Sequence, residues 1–206
     1  MHDEIKNNLI VTYDKYARDR YRAKNVEWKT KEREKFLKHL KNENAERLLD
    51  LGAGPARDSV YFRDNGFNII CVDLSKEMAR ICRENRLDAA VMDIDNPGIA
   101  DNSFDAVWSM NSLLHIPRDK FDRVLSYIKR ILKSGGLFYL GMYGGRDFEG
   151  IWEDDFYTPH RFFSFYADDN LKKIMSRHFD IIEFTKIPLE NRETDFQSLI
   201  LRKVRE

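Results

Sequence analysis

Short apolar runs alternate with longer amphipathic stretches along this chain, and that alternation predicts strands separated by helices. Residues 48–51, 67–72, 89–92, 104–110 and 137–142 read as strands, because each run is too short for a helix and is bounded by turn or polar residues. Residues 57–65 and 76–86, and the stretch opened by Pro117, read as helices. In the last of these, Phe121, Val124, Leu125, Ile128, Ile131 and Leu132 follow the helical period, and Pro117 suits a first turn. Gly66 suits the left-handed position past a helix end, and Ser75 suits an N-cap. Repeated strand–helix alternation implies a mostly parallel sheet.

Both ends of the chain depart from that rhythm. Residues 4–24 and 27–41 read as two helices before the first strand, the second with Trp28, Phe36, Leu37 and Leu40 suited to one face. Residues 144–152 read as a long loop, which in a compact domain is usually functional. Residues 168–177 read as a helix, and 179–187 with 196–204 as a closing antiparallel pair. The expected fold is α/β, a doubly wound, Rossmann-like, seven-stranded, mostly parallel sheet in a single domain over 1–206. Within it, residues 1–44 form an N-terminal helical cap and 45–143 a cofactor-binding half. Residues 144–167 form an acceptor-side insertion, and 168–206 the closing helix and strands.

Charge narrows the partners. Lys plus Arg number 35 and Asp plus Glu number 35, so the chain offers no net field to nucleic acid or to an anionic membrane. Residues 1–41 carry twelve basic against seven acidic side chains, but the signs alternate along a helical pattern, as on a solvated face. Cys71 and Cys82 lack metal-site or disulfide-framework spacing and read as reduced. Residues 1–6 contain no apolar signal region, and no apolar run approaches the ~18 residues of a membrane span. A soluble, cytoplasmic protein is expected, with a monomer favoured and the oligomeric state left open.

Candidate chemistry begins at Asp50-Leu51-Gly52-Ala53-Gly54. A buried strand enters this glycine turn, and a second strand ends in Asp73, nineteen residues after Gly54. Such an arrangement builds an adenosine-binding crevice. A dinucleotide site needs a third glycine, and Arg57 stands in that place; a P-loop needs a lysine that residues 55–59 do not supply. NAD is therefore the weaker reading, and these residues do not suit ATP chemistry of the P-loop type. His2, His39, His115, His160 and His178 show no His-Glu-x-x-His spacing, and no Gly-x-Ser-x-Gly elbow is present, so neither zinc nor serine hydrolysis is supported.

The acidic-x-Gly-x-Gly turn and the acidic end of the second strand resemble those of class I S-adenosylmethionine-dependent methyltransferases. Met92-Asp93 before an irregular loop, Asn102 to Val107 opening a fourth strand and Leu132 to Phe138 opening a fifth extend the resemblance over most of the chain. It implies S-adenosylmethionine as cofactor and S-adenosylhomocysteine as product. Gly52 and Gly54, flanking Ala53, would let backbone approach the methionine tail. Asp50 either reaches the tail ammonium or secures the turn. Asp73 accepts from the ribose hydroxyls in the role the resemblance implies, or caps the following helix. Leu74 and Met78 would line the adenine, with ordinary core as the other reading of Met78. The resemblance places Asp93, followed by Ile94, where the adenine amino group is read. Arg57 departs from the residues commonest after the glycine turn; it pairs with the cofactor carboxylate, or with Asp58, Asp64 or solvent. Tyr13, Tyr16 and Tyr21 resemble an aromatic cap before the first strand, and Tyr13, Tyr21 and Met110 join the expected cofactor set.

Methyl transfer displaces an activated leaving group, so the protein mainly positions an acceptor lone pair, with a base only for a protonated nucleophile. His115, just past the fourth strand, is the candidate base or else a structural histidine. Arg146, His160 and Arg161, near Tyr157, form a candidate pocket for a carboxylate. Alternatively the arginines pair with Glu149, Glu153, Asp154 or Asp155. The expected function is methylation of a small molecule or peptide at a carboxylate oxygen, such as a peptide C-terminus. Hydroxyl or amine methylation with His115 as base is the alternative, and a non-catalytic adenosine-ligand binder is the alternative of another class.

Overall fold

The structure is a computed structural model that describes residues 2–24, 26–95, 98–190 and 193–205. Before the first strand lie α1 (His2–Lys15), α2 (Ala17–Arg22) and α3 (Glu27–Asn42). The α/β body follows as β1 (Arg47–Leu51), α4 (Arg57–Asp64), β2 (Asn68–Asp73), α5 (Lys76–Glu84), β3 (Asp88–Val91), β4 (Phe104–Met110), α6 (Arg118–Ile131) and β5 (Leu132–Gly144). The remainder is β6 (Phe148–Ile151), β7 (Phe162–Phe165), α7 (Asp168–Met175), β8 (Asp180–Ile187) and β9 (Asp195–Arg202).

Among the described residues, seven strands form one sheet in the order β3-β2-β1-β4-β5-β9-β8. The first five are mutually parallel, and β9 runs antiparallel between β5 and β8. The expected doubly wound, mostly parallel sheet is thus present. Period-two alternation divides its side chains between two cores. Leu48, Ala106, Trp108, Leu137 and Tyr139 face α3, α4 and α5, where Phe36, Leu40, Phe62 and Cys82 meet them. Leu49, Val107, Phe138 and Leu140 face the other way, against Phe121, Val124, Leu125 and Ile128 of α6 and Leu171 and Met175 of α7. Trp108 stacks on Tyr139 with ring centroids 3.9 Å apart, so neighbouring β4 and β5 share one aromatic layer.

This topology positions the site. Strand order reverses between β1 and β4, and ligands of open α/β sheets bind beyond the strand ends at that switch. The turns after β1, β2, β3 and β4 all open there.

Three local expectations need correction. The first helix is interrupted at Tyr16, whose ring leaves the helical line to meet Tyr157 at 4.7 Å. Residues 144–152 are not one irregular loop: β6 pairs antiparallel with β7, and Phe148, Trp152, Phe163 and Phe165 pack together around the hairpin. The fifth strand starts at Leu132, where α6 runs directly into it: Leu132 pairs with Phe104, and the register shifts before Leu137 pairs with Ala106. Ser75 does cap α5, its hydroxyl accepting from Met78 N at 3.2 Å, and Gly66 takes φ +96 past α4.

Candidate active site

A cavity of about 440 Å3 lies over the strand ends and beneath α1 and α2. Gly52 shows why the turn after β1 needs glycine. Its φ is +81, and a Cβ there would lie 2.1 Å from Ser112 Oγ, so this turn and the one after β4 meet with no room for a side chain. At Gly54, φ +52, a Cβ would meet nothing within 4 Å, which leaves bare backbone facing the cavity.

Two carboxylates anchor this wall. Asp73 accepts from Gly54 N at 2.8 Å and from Ser75 N at 2.9 Å, so it joins the ends of β1 and β2 while each oxygen retains a lone pair. Burial pushes its carboxyl up, against those two hydrogen bonds. Asp50 is 2% exposed and accepts from the Ser59 hydroxyl, which in turn meets Cys71. Burial, with the neighbouring Cys71 and Asp58, holds the Asp50 carboxyl well above its usual range. No cation makes an ion pair with Asp50 among the described residues.

Cap helices close the opposite side, and each tie involves a different site turn. Lys6 donates to Asp93 at 2.6 Å and Asp95 at 3.0 Å. Asp95 also accepts from Lys120 at 2.6 Å and from Arg123; burial pushes its carboxyl up, but these cations outweigh that and hold it low. Asp14 accepts from Ser75 Oγ at 2.6 Å and Glu77 N at 3.1 Å, tying α1 to the start of α5. Thr12 donates to the Pro159 carbonyl at 2.7 Å.

Near the β4 end, a continuous hydrogen-bonded line enters the cavity. His115 Nδ1 lies 2.6 Å from the Phe162 carbonyl oxygen, which can only accept, so Nδ1 carries the proton and Nε2 is an acceptor. Tyr13 Oη stands 2.6 Å from that Nε2 and donates to it. Arg161 Nη1 donates to the same hydroxyl oxygen at 3.0 Å. Burial and the Arg161 charge push His115 down to about 3, so its imidazole is neutral at physiological pH. Arg161 is held in turn by Asp155, through contacts of 2.8 and 2.6 Å.

Twelve of the expected site residues line the cavity: Tyr13, Asp50, Gly52, Ala53, Gly54, Arg57, Asp73, Leu74, Asp93, Ile94, Met110 and His115. Five do not. Met78 is fully buried with Ala17 and Ile81, so its ordinary-core reading applies. Tyr21 is 42% exposed, and its hydroxyl donates to Asn85 Oδ1 at 3.3 Å outside the cavity. Arg146 pairs with Glu193 at 2.8 Å, and His160 sits half-buried in the segment before β7 without reaching the cavity. Arg161 touches the site through Tyr13, its charge met by Asp155 as the alternative reading had it. Arg57 lines the cavity and forms no ion pair with Asp58 or Asp64 among the described residues; its Nη2 donates to the carbonyls of Arg20, Tyr21 and Ala23, clasping the end of α2.

Comparison with known proteins bears on what this cavity serves. The methyltransferase domain family matches residues 49–140, a segment running from β1 through most of β5. Residues 49–140 are thus similar to a methyltransferase domain. A malonyl-[acyl-carrier protein] O-methyltransferase of Enterobacter lignolyticus (strain SCF1) is 36% identical over 93 residues, which cover 44% of this chain and 36% of that protein. The chain therefore spans well under half the length of the curated relatives it matches first. An S-adenosylmethionine-dependent methyltransferase from Methanosarcina mazei has the same fold, with TM-score 0.69 and 20% identity over 78% of this chain and 93% of that one. So does the 1,6-didemethyltoxoflavin-N1-methyltransferase of Burkholderia thailandensis, solved with 1,6-didemethyltoxoflavin and S-adenosylhomocysteine, with TM-score 0.65 and 18% identity over 88% and 92%. The matched segment contributes the cavity floor, and α1, α2, the start of α3 and Tyr157 contribute its cover.

The latch that Lys6 forms on Asp93 and Asp95 leaves no signal in the sequence. Lys6, Asp95 and Lys120 lie far apart along the chain, and Lys6 had the appearance of a solvated helix face. Arg20, Lys24, Lys29 and Arg33, which also line the cavity, were absorbed into the same bland pattern. Among the described residues, no helix is long and apolar enough to cross a membrane.

Proposed function

We propose that the chain transfers a methyl group from S-adenosylmethionine to a protonated nitrogen or oxygen of a small molecule, with the Tyr13–His115 pair receiving the acceptor proton. The observation that carries this reading is the 2.6 Å contact between Tyr13 Oη and His115 Nε2 in the cavity wall.

The wall chemistry fits the cofactor on two counts. Asp50 is a buried carboxylate whose counter-charge the cofactor ammonium would supply, and unpaired buried charge is otherwise costly. Bare backbone at Gly54 leaves space where a tail must lie close. Asp73 keeps acceptor capacity for ribose hydroxyls, and Leu74, Asp93 and Ile94 would hold the adenine. When bound, the cofactor supplies a methyl group on a positively charged sulfur, already a good leaving group.

The remaining work belongs to the chain. The cap excludes water, and the turn after β4 sets the approach of the acceptor lone pair. As the acceptor loses its proton to Tyr13 Oη, the Tyr13 proton passes to His115 Nε2, and Nδ1 keeps its bond to the Phe162 carbonyl. Arg161 orients the Tyr13 hydroxyl, and its charge keeps His115 unprotonated before the transfer. A carboxylate acceptor would leave this pair idle, and of Arg146, His160 and Arg161, on which that reading rests, the arginines already face Glu193 and Asp155 and His160 does not line the cavity. The relatives' names include both O- and N-methyltransferases, so the acceptor atom is argued from the site.

The test is transfer of labelled methyl from S-adenosylmethionine to a metabolite and peptide pool, followed by mild base. Base-stable label is expected. Volatile label would point to a methyl ester and restore the carboxylate reading. Tight NAD binding without S-adenosylmethionine binding would overturn the cofactor, and cofactor binding with no transfer to any fraction would favour a non-catalytic binder.

A further inference from the structure

The proton path ends at a buried imidazole that must take a positive charge with a guanidinium nearby. Tyr13 Oη lies 2.6 Å from His115 Nε2 and 3.0 Å from Arg161 Nη1, so one hydroxyl joins the two. The acceptor gives its proton to Tyr13 Oη as its lone pair bonds the methyl carbon, and the carbon–sulfur electron pair leaves with sulfur. Tyr13 gives its own proton to His115 Nε2. One positive charge is thereby moved from sulfur to the imidazole, beside Arg161. Two cations that share one oxygen in a buried site need a counter-charge.

The titratable and charged groups that bear on His115 are Tyr13 from α1, Arg20 from α2, and Asp155 and Arg161 from the segment before β7. Asp155 is the single carboxylate among these. Its side chain is 2% exposed, against 12% for Arg161, and neither residue lines the cavity. Asp155 Oδ2 accepts from Arg161 N at 3.0 Å and from Arg161 Nε at 2.8 Å, and Oδ1 accepts from Nη2 at 2.6 Å. These bonds use one edge of the guanidinium and leave Nη1 to Tyr13. The rings of Tyr157 at 4.5 Å, Phe163 at 5.0 Å and Tyr13 at 5.6 Å also hold the guanidinium. Arg161 thus has aromatic anchorage besides Asp155, and Asp155 is the carboxylate that meets its charge.

We propose that Asp155 is a positioning residue for methyl transfer: acting through Arg161, it supplies the negative charge that lets the Tyr13–His115 pair take the acceptor proton. The inference deepens the methyltransferase reading above and rests on it. Before transfer, Asp155 and Arg161 cancel one another, and the neutral imidazole stands ready as an acceptor. After transfer, the same carboxylate faces two cations, Arg161 directly and the imidazolium beyond it. With Asp155 gone, the proton would arrive beside an uncompensated buried cation, and the barrier to its arrival would rise.

The test compares labelled methyl transfer from S-adenosylmethionine into the metabolite and peptide pool by the full chain, Asp155→Asn, Arg161→Gln and the double variant. An amide at 155 can keep the two bonds that Oδ2 accepts and gives up the charge. Asp155→Asn should slow transfer about tenfold or more, and adding Arg161→Gln should recover several-fold of that loss, because the uncompensated cation goes with it. S-adenosylhomocysteine affinity by calorimetry should stay within about twofold in all three variants, since neither residue lines the cavity. A second readout is the pH at which His115 titrates, followed by NMR of its ring carbons in the S-adenosylhomocysteine-loaded chain. From the parent value of about 3, Arg161→Gln should raise it and Asp155→Asn should not. Unchanged transfer by Asp155→Asn, or a double variant no faster than Asp155→Asn, overturns the proposal. A His115 midpoint raised by Asp155→Asn as far as by Arg161→Gln also overturns it, by making Asp155 an anchor whose loss releases the arginine. If Asp155→Asn does not fold, Asp155→Glu and Asp155→Gln carry the same comparison: the charged variant should transfer faster, and equal rates overturn the proposal. Failure of the parent chain to bind S-adenosylhomocysteine, or to transfer label to any fraction, would instead remove the reading on which the proposal stands.

Discussion

Tyr13 Oη and His115 Nε2 stand 2.6 Å apart, joining the cap helix α1 to the turn after β4. They are 102 positions apart in sequence, and only closure of the cap brings the hydroxyl to the imidazole. Covering the cavity and completing the proton path are therefore one event.

Tyr13→Phe separates the two consequences. The ring remains to pack beside Leu9, but the hydroxyl between His115 and Arg161 is lost. kcat should fall by about two to four orders of magnitude, the usual share of a general base. S-adenosylhomocysteine affinity by calorimetry should change by less than about threefold. Retained kcat would remove Tyr13 from the proton path.

The depressed His115 makes a prediction about acid. Its folded value is about 3 against an ordinary 6.5, so below pH 6.5 the unfolded chain binds a proton that the folded chain refuses. Stability contributed by neutral His115 is complete above that point and is lost progressively as pH falls toward 3. Between pH 7 and 4.5 the loss amounts to about 2–3 kcal/mol. His115→Asn keeps a donor for the Phe162 carbonyl and carries no such titration. Denaturant melts of both proteins at pH 7 and 4.5 should show a steeper loss for the parent chain; parallel losses would mean that His115 titrates normally.

Much of the cofactor wall was legible in the sequence, because local chemistry builds it. Strand runs of four to seven apolar residues, glycines at positive φ in Gly52 and Gly54, and Asp73 at a strand end are each properties of a few neighbouring residues. The cover was not legible. Lys6 meeting Asp93, Arg57 clasping the end of α2 and Tyr157 turning onto Tyr16 depend on where α1 and α2 settle, and their own pattern reads as a solvated surface. Arg161 had two readings in sequence, and its 2.6 Å contact with Asp155 is the pairing that one of them named, made by a carboxylate six residues away. Met78 obeyed helical spacing and was simply core.

Lys6→Met tests whether the latch governs cofactor release. Asp95 keeps Lys120 and Arg123 after the change, so global stability should fall by no more than about 1 kcal/mol. The tie between α1 and Asp93 is lost, and S-adenosylhomocysteine should dissociate several times faster in stopped-flow measurements, with its association rate nearly unchanged. An unchanged dissociation rate would show that the remaining contacts of α1 suffice to hold the cover.

Asp50→Asn should raise stability and lower affinity together. The folded-state carboxyl of Asp50 lies well above the ordinary 3.8, so its stabilising contribution is present when it is protonated and is lost as pH rises through that folded value. At neutral pH, ionising it in a wall without a cation opposes folding, and an amide of nearly the same shape removes that cost. The ligand-free variant should therefore melt above the parent chain at pH 7, and the gap should narrow toward pH 4. The same change withdraws the charge proposed to face the cofactor ammonium, so S-adenosylmethionine affinity should drop by about tenfold or more. Thermal melts across pH, paired with calorimetry, measure both halves. A variant that is less stable at pH 7 would mean that Asp50 supports the turn through Ser59; unchanged affinity would remove it from the cofactor site.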